Sequence, residues 1–431
     1  MKHAGKKLSN AELCTHCGYC LPACPTYGAA NDEALSPRGR VSIILALSRG
    51  DIKPDDASQA LSSCLVCRAC HTACPVGVRP AKLVLSVRGT SPITVPYTTR
   101  ILHKITNSHL LTAQASRLIR LYQQSGLQRW IRRLKILRIL APLDRLERLI
   151  PGESSHPPVA SYFNREQARQ TANPPLKAAL LCGCIARLLH SNVAPSTANL
   201  LQLCGVELTV LEGFGCCGAP FRESGKRDQF LKQARKTLDA FEKNSGVDVV
   251  VCDTSICFVT VRSYGRALMN DPHYASLAQL FTEKIRSLDG VLEQRLLGMI
   301  EPELRFDAVN KAVTFQDHCQ TQHGFGQSKA ARALIQQFIG PITEASKGER
   351  CCGAAGDYML RSPELSQKIQ LDKVAAIVET KADYLIGMNS GCLLNLEAGL
   401  RNQDRSIEVQ HLSEALWQTL SNTTEQRERS R

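Results

Sequence analysis

Apolar positions divide the chain into stretches of different period. In residues 1–90 they come in short helical runs such as GRVSIILALSRG, set between clusters of cysteine. From 91 to 150 the spacing mixes three and four, as in LQRWIRRLKILRIL, which predicts helices; the residues between are basic. PGESSHPPVASYF, from 151, has the Pro, Ser and Gly content of a linker, so 91–175 reads as a basic helical segment with a linker. KAALLCGC at 177–184 and VDVVVC at 247–252 are short apolar runs that predict buried strands. Helical patterns lie between them, which predicts βαβ units and parallel sheets. The polar tail SNTTEQRERSR, 421–431, is expected to be disordered.

The second half repeats itself. Adding 135 to Cys184, Cys216, Cys217 and Cys257 gives Cys319, Cys351, Cys352 and Cys392. The same shift carries Gly218 to Gly353, Asp248 to Asp383 and Ser255 to Ser390. Two copies of one module follow, at 176–300 and 305–420, each with a C…CC…C set. The expected fold class is therefore α+β and multidomain. A helical N-terminal domain (1–90) precedes two repeated α/β modules with parallel sheets.

Composition narrows the chemistry. The chain has 431 residues, 43% of them apolar, and 19 cysteines. That length allows about two to four domains and does not suit a small disulfide-held secreted scaffold. No signal peptide stands behind MKHAGKKLSN, and no apolar run reaches the roughly 18 residues of a membrane span. The expected compartment is the reducing cytoplasm, where clustered cysteines point to metal or redox chemistry. Of the net charge of +14, residues 98–150 hold +9: eleven Lys and Arg against Asp144 and Glu147. Such a segment suits an anionic membrane surface or an acidic partner. Few aromatics and no recognised binding motif argue against nucleic acid.

CTHCGYCLPACP supplies Cys14, Cys17, Cys20 and Cys24; CLVCRACHTACP supplies Cys64, Cys67, Cys70 and Cys74. Both follow C-x2-C-x2-C-x3-C-P, in which the fourth cysteine ligates the other cluster. One 4Fe-4S cluster is expected on Cys14, Cys17, Cys20 and Cys74, and a second on Cys64, Cys67, Cys70 and Cys24. The alternative of two zinc sites does not explain two complete runs with both prolines. In the repeated modules, each set of four thiolates is expected at the C-terminal ends of parallel strands. Gly218 and Gly353 would let the backbone turn where adjacent side chains must face one site. Cys182 and Cys204 read as buried small residues. His318 and His323, beside Cys319, read as ordinary hydrogen-bonding groups. HGFGQSK lacks the third glycine of a dinucleotide fingerprint.

CTHCGYCLPACPTYG…SPRGR followed by two CCG modules resembles the glycolate oxidase iron-sulfur subunit family over about residues 10–420. The CCG domain is shared with heterodisulfide reductase subunits, anaerobic glycerol-3-phosphate dehydrogenase and lactate-utilisation proteins. The resemblance implies an electron-transfer subunit that is not catalytic alone. An FAD-containing partner would oxidise a 2-hydroxy acid, glycolate first, and electrons would pass to an acceptor such as a quinone. It allows a further iron-sulfur cluster in each CCG domain; the basic segment allows peripheral attachment at the inner face of the cytoplasmic membrane. The alternative is a heterodisulfide-reductase-like or lactate-utilisation enzyme whose CCG sites do the redox chemistry. Against it, the C-x-x-C that ends the heterodisulfide pattern is missing: Thr254 and Asn389 stand three residues before Cys257 and Cys392.

Overall fold

The computed structural model describes residues 5–90, 95–152, 175–297 and 311–430, apart from Lys135, Leu140, Glu212, Ser245, Gln327, Ser328, Lys347, Asn402, Asp404 and Arg405. Beyond Pro151 and Gly152, the linker expected from 151 lies outside the described residues up to 174, as does the boundary near 300–305.

Four helices of the N-terminal domain open on a proline: Pro25–Ala30, Pro37–Arg49, Pro54–Ser62 and Pro80–Val87. Proline suits the first helical turn, where its fixed φ is correct and its missing N–H is not needed. The helix read from GRVSIILALSRG is Pro37–Arg49. The Ser36 side chain caps it by accepting from Gly39 N, and Gly50, at φ 82°, ends it. Val41 and Ile44 on this helix meet Ala57, Leu61, Leu83 and Val84 in a small core. Burial of each large side chain stabilises by about 1.5–3 kcal/mol.

The first module is a parallel sheet of β1 (Leu176–Leu181), β2 (Val206–Val210), β3 (Val249–Cys252) and β4 (Ile285–Ser287), in the order β2-β1-β3-β4. The second has β5 (Val313–Gln316), β6 (Tyr384–Gly387) and β7 (Glu408–His411), in the order β5-β6-β7. A single parallel bridge from Val313 to Ile342 stands where β2 stands in the first module. The repeated aspartates explain part of the shift by 135. Asp248 accepts from Lys177 N at 2.9 Å, and Asp383 accepts from Ala312 N at 3.2 Å. Each locks the start of its central strand pair.

The two modules are not separate bodies. Ala178, Leu180 and Val251 of one sheet share a core with Phe315, Tyr384 and Ile386 of the other. The contacts are reciprocal. Helix Val193–Leu203 packs on helix Leu412–Ser430, and helix Leu288–Leu296 packs on helix Lys329–Phe338. Cys204 is fully buried in this seam.

Helices Tyr97–Asn107, His109–Gln124, Leu127–Leu134 and Ala141–Leu149 form the basic segment. LQRWIRRLKILRIL is not one helix: the α-helix ends at Leu134 and a 3-10 turn, Ile136–Ile139, follows. Pro142 falls in the first turn of the next helix, where proline is tolerated. Arg401 ties the segment to the second module by donating to the carbonyls of Arg148 and Ile150 at 2.8 and 3.0 Å. The tail expected to be disordered continues as helix to Ser430. Its Glu, Gln and Arg are good helix formers, and they extend a helix already nucleated on the seam.

Candidate metal centres

Two pockets lie in the N-terminal domain. One is lined by Cys14, Cys17, Cys20 and Cys74, and the other by Cys64, Cys67, Cys70 and Cys24. Cys70 also borders the first. The loops that present these thiols are strained in matching places. His16 and Gly18 flank Cys17 at φ 57° and 86°; Val66 and Arg68 flank Cys67 at φ 55° and 68°. Left-handed geometry at a β-branched residue such as Val66 is unfavourable by about 1–2 kcal/mol and persists only where the surroundings impose it. Here it turns successive thiols toward one space.

Among the described residues, no three His, Cys, Asp or Glu side chains close on a single point as one ion would need. The thiols of the N-terminal domain instead ring a volume. Four thiols around such a space could hold a cluster of several irons. Burial pushes the Cys20 thiol up to about 11, and pushes Cys67 and Cys70 well up. Thiolates here require a nearby cation, which cluster iron supplies. Sequence reading missed Arg40, a buried residue lining the second pocket. Its Nη1 stands 3.9 Å from Cys24 Sγ, and it bonds Ala60 O, Thr26 Oγ1 and Ser63 Oγ at 2.7, 3.0 and 2.9 Å.

In each CCG module the four thiols also come together. Cys184, Cys216, Cys217 and Cys257 form one hydrogen-bonded series, and Cys319, Cys351, Cys352 and Cys392 form another, with Cys319 and Cys351 Sγ 3.9 Å apart. All eight are buried. The outer thiols follow β1, β3, β5 and β6, at the C-terminal sheet edge. Gly218 and Gly353 take φ 81° and 85°; a Cβ on Gly353 would lie 2.8 Å from Ser366 O. The turn after each cysteine pair therefore needs glycine.

The surroundings of the two sets differ. Cys217 is held well below the usual thiol range by hydrogen bonds from Cys216 and Cys257, with Arg222 adding a smaller pull. Its backbone carbonyl accepts from Tyr264 Oη at 2.8 Å. In the second module Lys373 is buried, donates to Gly348 O at 2.6 Å and feels Cys351, Cys352 and Cys392. Asn389 Nδ2 stands 3.1 Å from Cys392 Sγ, so the residue in the place of a fifth thiol serves the fourth. None of Tyr264, Lys373 and Arg222 belongs to a cysteine motif, and each meets its site only through the tertiary fold.

The remaining candidates fall elsewhere. His318 Nδ1 pairs with Thr321 Oγ1 at 2.9 Å, and His323 Nδ1 with Thr72 Oγ1 at 2.7 Å. Both have the hydrogen-bonding roles expected. Cys252 is buried at the end of β3, and Cys182 is half-buried beside the seam.

Three of the four thiol sets adjoin one another. Cys67 shares an apolar cluster with Cys319 and Cys351. Gln320, next to Cys319, accepts from Arg222 at 2.9 Å, and Phe258, next to Cys257, packs on Phe325 at 5.7 Å between ring centroids.

The same parts recur in known proteins. A 4Fe-4S dicluster domain family matches residues 10–78, and a cysteine-rich domain family matches twice, at 178–262 and 313–397, again 135 apart. Residues 100–150 match the linker region of the glycolate oxidase iron-sulfur subunit. A probable glycolate oxidase iron-sulfur subunit of Bacillus subtilis is 31% identical over 435 residues, covering 97% of this chain and 96% of its own. This chain belongs to the glycolate oxidase iron-sulfur subunit family. The Escherichia coli glycolate oxidase iron-sulfur subunit is 27% identical over 403 residues, 92% of each chain. Lactate utilization protein A of Bacillus licheniformis is 28% identical over 242 residues, which is 56% of this chain and 99% of that protein. As a family member the chain is an iron-sulfur protein with a 4Fe-4S dicluster domain.

Proposed function

We propose that this chain relays electrons for a flavin-dependent 2-hydroxy-acid dehydrogenase, with glycolate as the substrate. An FAD-containing partner oxidises the acid, and the electrons leave through this chain to a quinone. In this reading Cys14, Cys17, Cys20 and Cys74 hold one 4Fe-4S cluster, and Cys64, Cys67, Cys70 and Cys24 the other. Each CCG module holds a further cluster on its four thiols. The protein's part is to space the clusters, bury them and tune them by charge and by hydrogen bonds to sulfur. The observation that carries the reading is the adjacency of Cys67 to Cys319 and Cys351 in one apolar cluster. It puts a thiol of the dicluster domain and two thiols of a CCG module among the same buried side chains. The names of the full-length relatives support glycolate.

The complex is proposed to sit on the inner face of the cytoplasmic membrane, where quinone is found. Among the described residues no helix is long and apolar enough to cross a membrane. The attachment proposed is therefore peripheral, through the +9 segment. A reading in which the CCG sites cleave a disulfide themselves is weaker, because Thr254 and Asn389 replace the cysteines of its C-x-x-C.

The test is glycolate-dependent dye reduction by the purified, flavin-free chain, with and without the flavoprotein that co-purifies with it. Activity is expected only with the partner. Turnover by the chain alone, or co-purification with no flavoprotein, would overturn the proposal.

A further inference from the structure

The basic segment is folded inside out. Along its helices the fully buried side chains are polar: Thr99, Thr106, Thr112, Ser116, Gln128 and Glu147. No large apolar side chain described on these helices is fully buried: Leu102, Ile105, Ile119, Leu146 and Leu149 are half-buried, and others face outward. Of nineteen exposed large hydrophobics among the described residues, eleven fall between Tyr97 and Leu143. Soluble helices do the reverse, turning the apolar stripe to the core. A concentration of this kind marks a surface that meets something other than water.

The geometry gives the surface a direction. On helix His109–Gln124, Leu110, Leu111, Leu118 and Leu121 fall within a little over a quarter turn of one another at 100° per residue. Thr112 and Ser116 lie on the opposite side, toward helix Cys184–Leu189 of the first module. On helix Leu127–Leu134, Leu127, Trp130 and Leu134 stand at i, i+3 and i+7, and Gln128 is turned inward. Exposed Arg117, Arg120 and Arg133 lie along the same two helices. The two acidic residues of 98–150 are both engaged: Asp144 pairs with Arg148 at 2.8 Å, and buried Glu147 pairs with Arg132 at 2.8 Å. What faces outward is leucine, tryptophan and arginine without a carboxylate to balance them.

We infer that this face inserts into an anionic lipid bilayer interface, with Leu110, Leu118, Leu121, Leu127, Trp130 and Leu134 below the headgroups and the arginines among them. Tryptophan and arginine are common to protein and lipid interfaces, but leucine is under-represented among the anchors of protein interfaces. Arginine interleaved with exposed leucine and a tryptophan instead suits a bilayer surface, where the apolar face enters the acyl boundary and the cations meet lipid phosphates. The inference rests on the peripheral attachment proposed above and replaces its general charge with a defined face. It also orients the molecule. Helix Cys184–Leu189, which carries one thiol of the first CCG site, packs directly on the two leading helices. Gly215, next to Cys216, lies so near Asn107 that a Cβ would be 2.6 Å from its carbonyl oxygen. The first module's thiols are therefore the set nearest the lipid.

The test uses the full chain with phosphatidylcholine vesicles, with and without phosphatidylglycerol. Trp130 is read as the difference between the parent and Trp130→Phe, a change at an exposed position. With phosphatidylglycerol the Trp130 emission is expected to shift to the blue and to be quenched by brominated lipid chains. The exposed double variant Leu118→Gln, Leu121→Gln should lose vesicle affinity roughly tenfold or more, with unchanged circular dichroism and iron content. Binding that is salt-sensitive but leaves Trp130 unshifted, or a double variant that binds as the parent does, would overturn the inserted face while leaving peripheral attachment standing. No binding to either vesicle, with these helices protected from hydrogen exchange only by the flavoprotein, would overturn both and make the face a protein interface.

Discussion

The two CCG modules share the order of three parallel strands and the same four-thiol series, yet they surround their thiols differently. At the position of buried Lys373 in the second module the first has Leu238, also buried. The first module takes its positive charge from Arg222 and places Tyr264 against the backbone of Cys217. A repeated scaffold fixes where the sulfurs go, while unrepeated residues set the field they feel. The two sites should therefore have different reduction potentials, with the buried Lys373 ammonium raising that of the second. The modules are also one folding unit, because their sheets share a core.

The largest expected effect tests that shared core. Leu200→Ala or Leu416→Ala, at buried seam positions, should each cost about 2–5 kcal/mol. A single urea transition that moves for both sheets is expected. Two separated transitions, with only the mutated module shifted, would break the picture of one unit.

The seam also predicts a pH dependence. His411, fully buried there beside Ser413, has its pKa pushed down to about 3 by burial. Its folded value lies below the unfolded value near 6.5, so the unfolded chain binds more protons as pH falls. Stability is intact above that value and declines below it, by about 2 kcal/mol at pH 5. His411→Gln should flatten this part of the acid limb in urea melts at pH 7 and pH 5. An unchanged slope would remove His411 from the account.

Lys373→Met should separate the modules electrostatically. Loss of the ammonium should make the second site harder to reduce by about 60 mV, a tenfold change for one electron, and leave the first site in place. Redox titration followed by EPR reads this directly; equal shifts at both sites, or none, would dissolve the contrast. The smallest effect is expected at Asn389→Ala. Losing one hydrogen bond to Cys392 Sγ should lower the same potential by a few tens of mV.

Much of this site was legible from the chain. Cysteine spacing and the shift by 135 singled out all sixteen thiols that the structure gathers into four sets, and the short apolar runs marked β1 and β3. Lys373, Tyr264 and Arg40 were not legible. A lysine in a long helix or a tyrosine in a short one carries no local mark, and its role arises only when distant segments pack. The shared seam was hidden for a different reason. Strands buried on both faces show no alternation, so the pattern does not say that a second sheet lies against one of them. In the basic segment, composition showed the charge but not the direction. LQRWIRRLKILRIL reads as helix either way round, and only the packing shows that Gln128 goes in while Trp130 and Leu134 stay out.

The most direct test of the central claim, four thiol sets each holding a cluster, is an iron and acid-labile sulfide count on the anaerobically reconstituted full chain, with Cys217→Ser and Cys352→Ser beside it. Each variant is expected to lose about four irons from one CCG module while the EPR signals of the dicluster domain persist. Iron content equal to the parent in both variants, or a parent that carries only the iron of the dicluster domain, would contradict it.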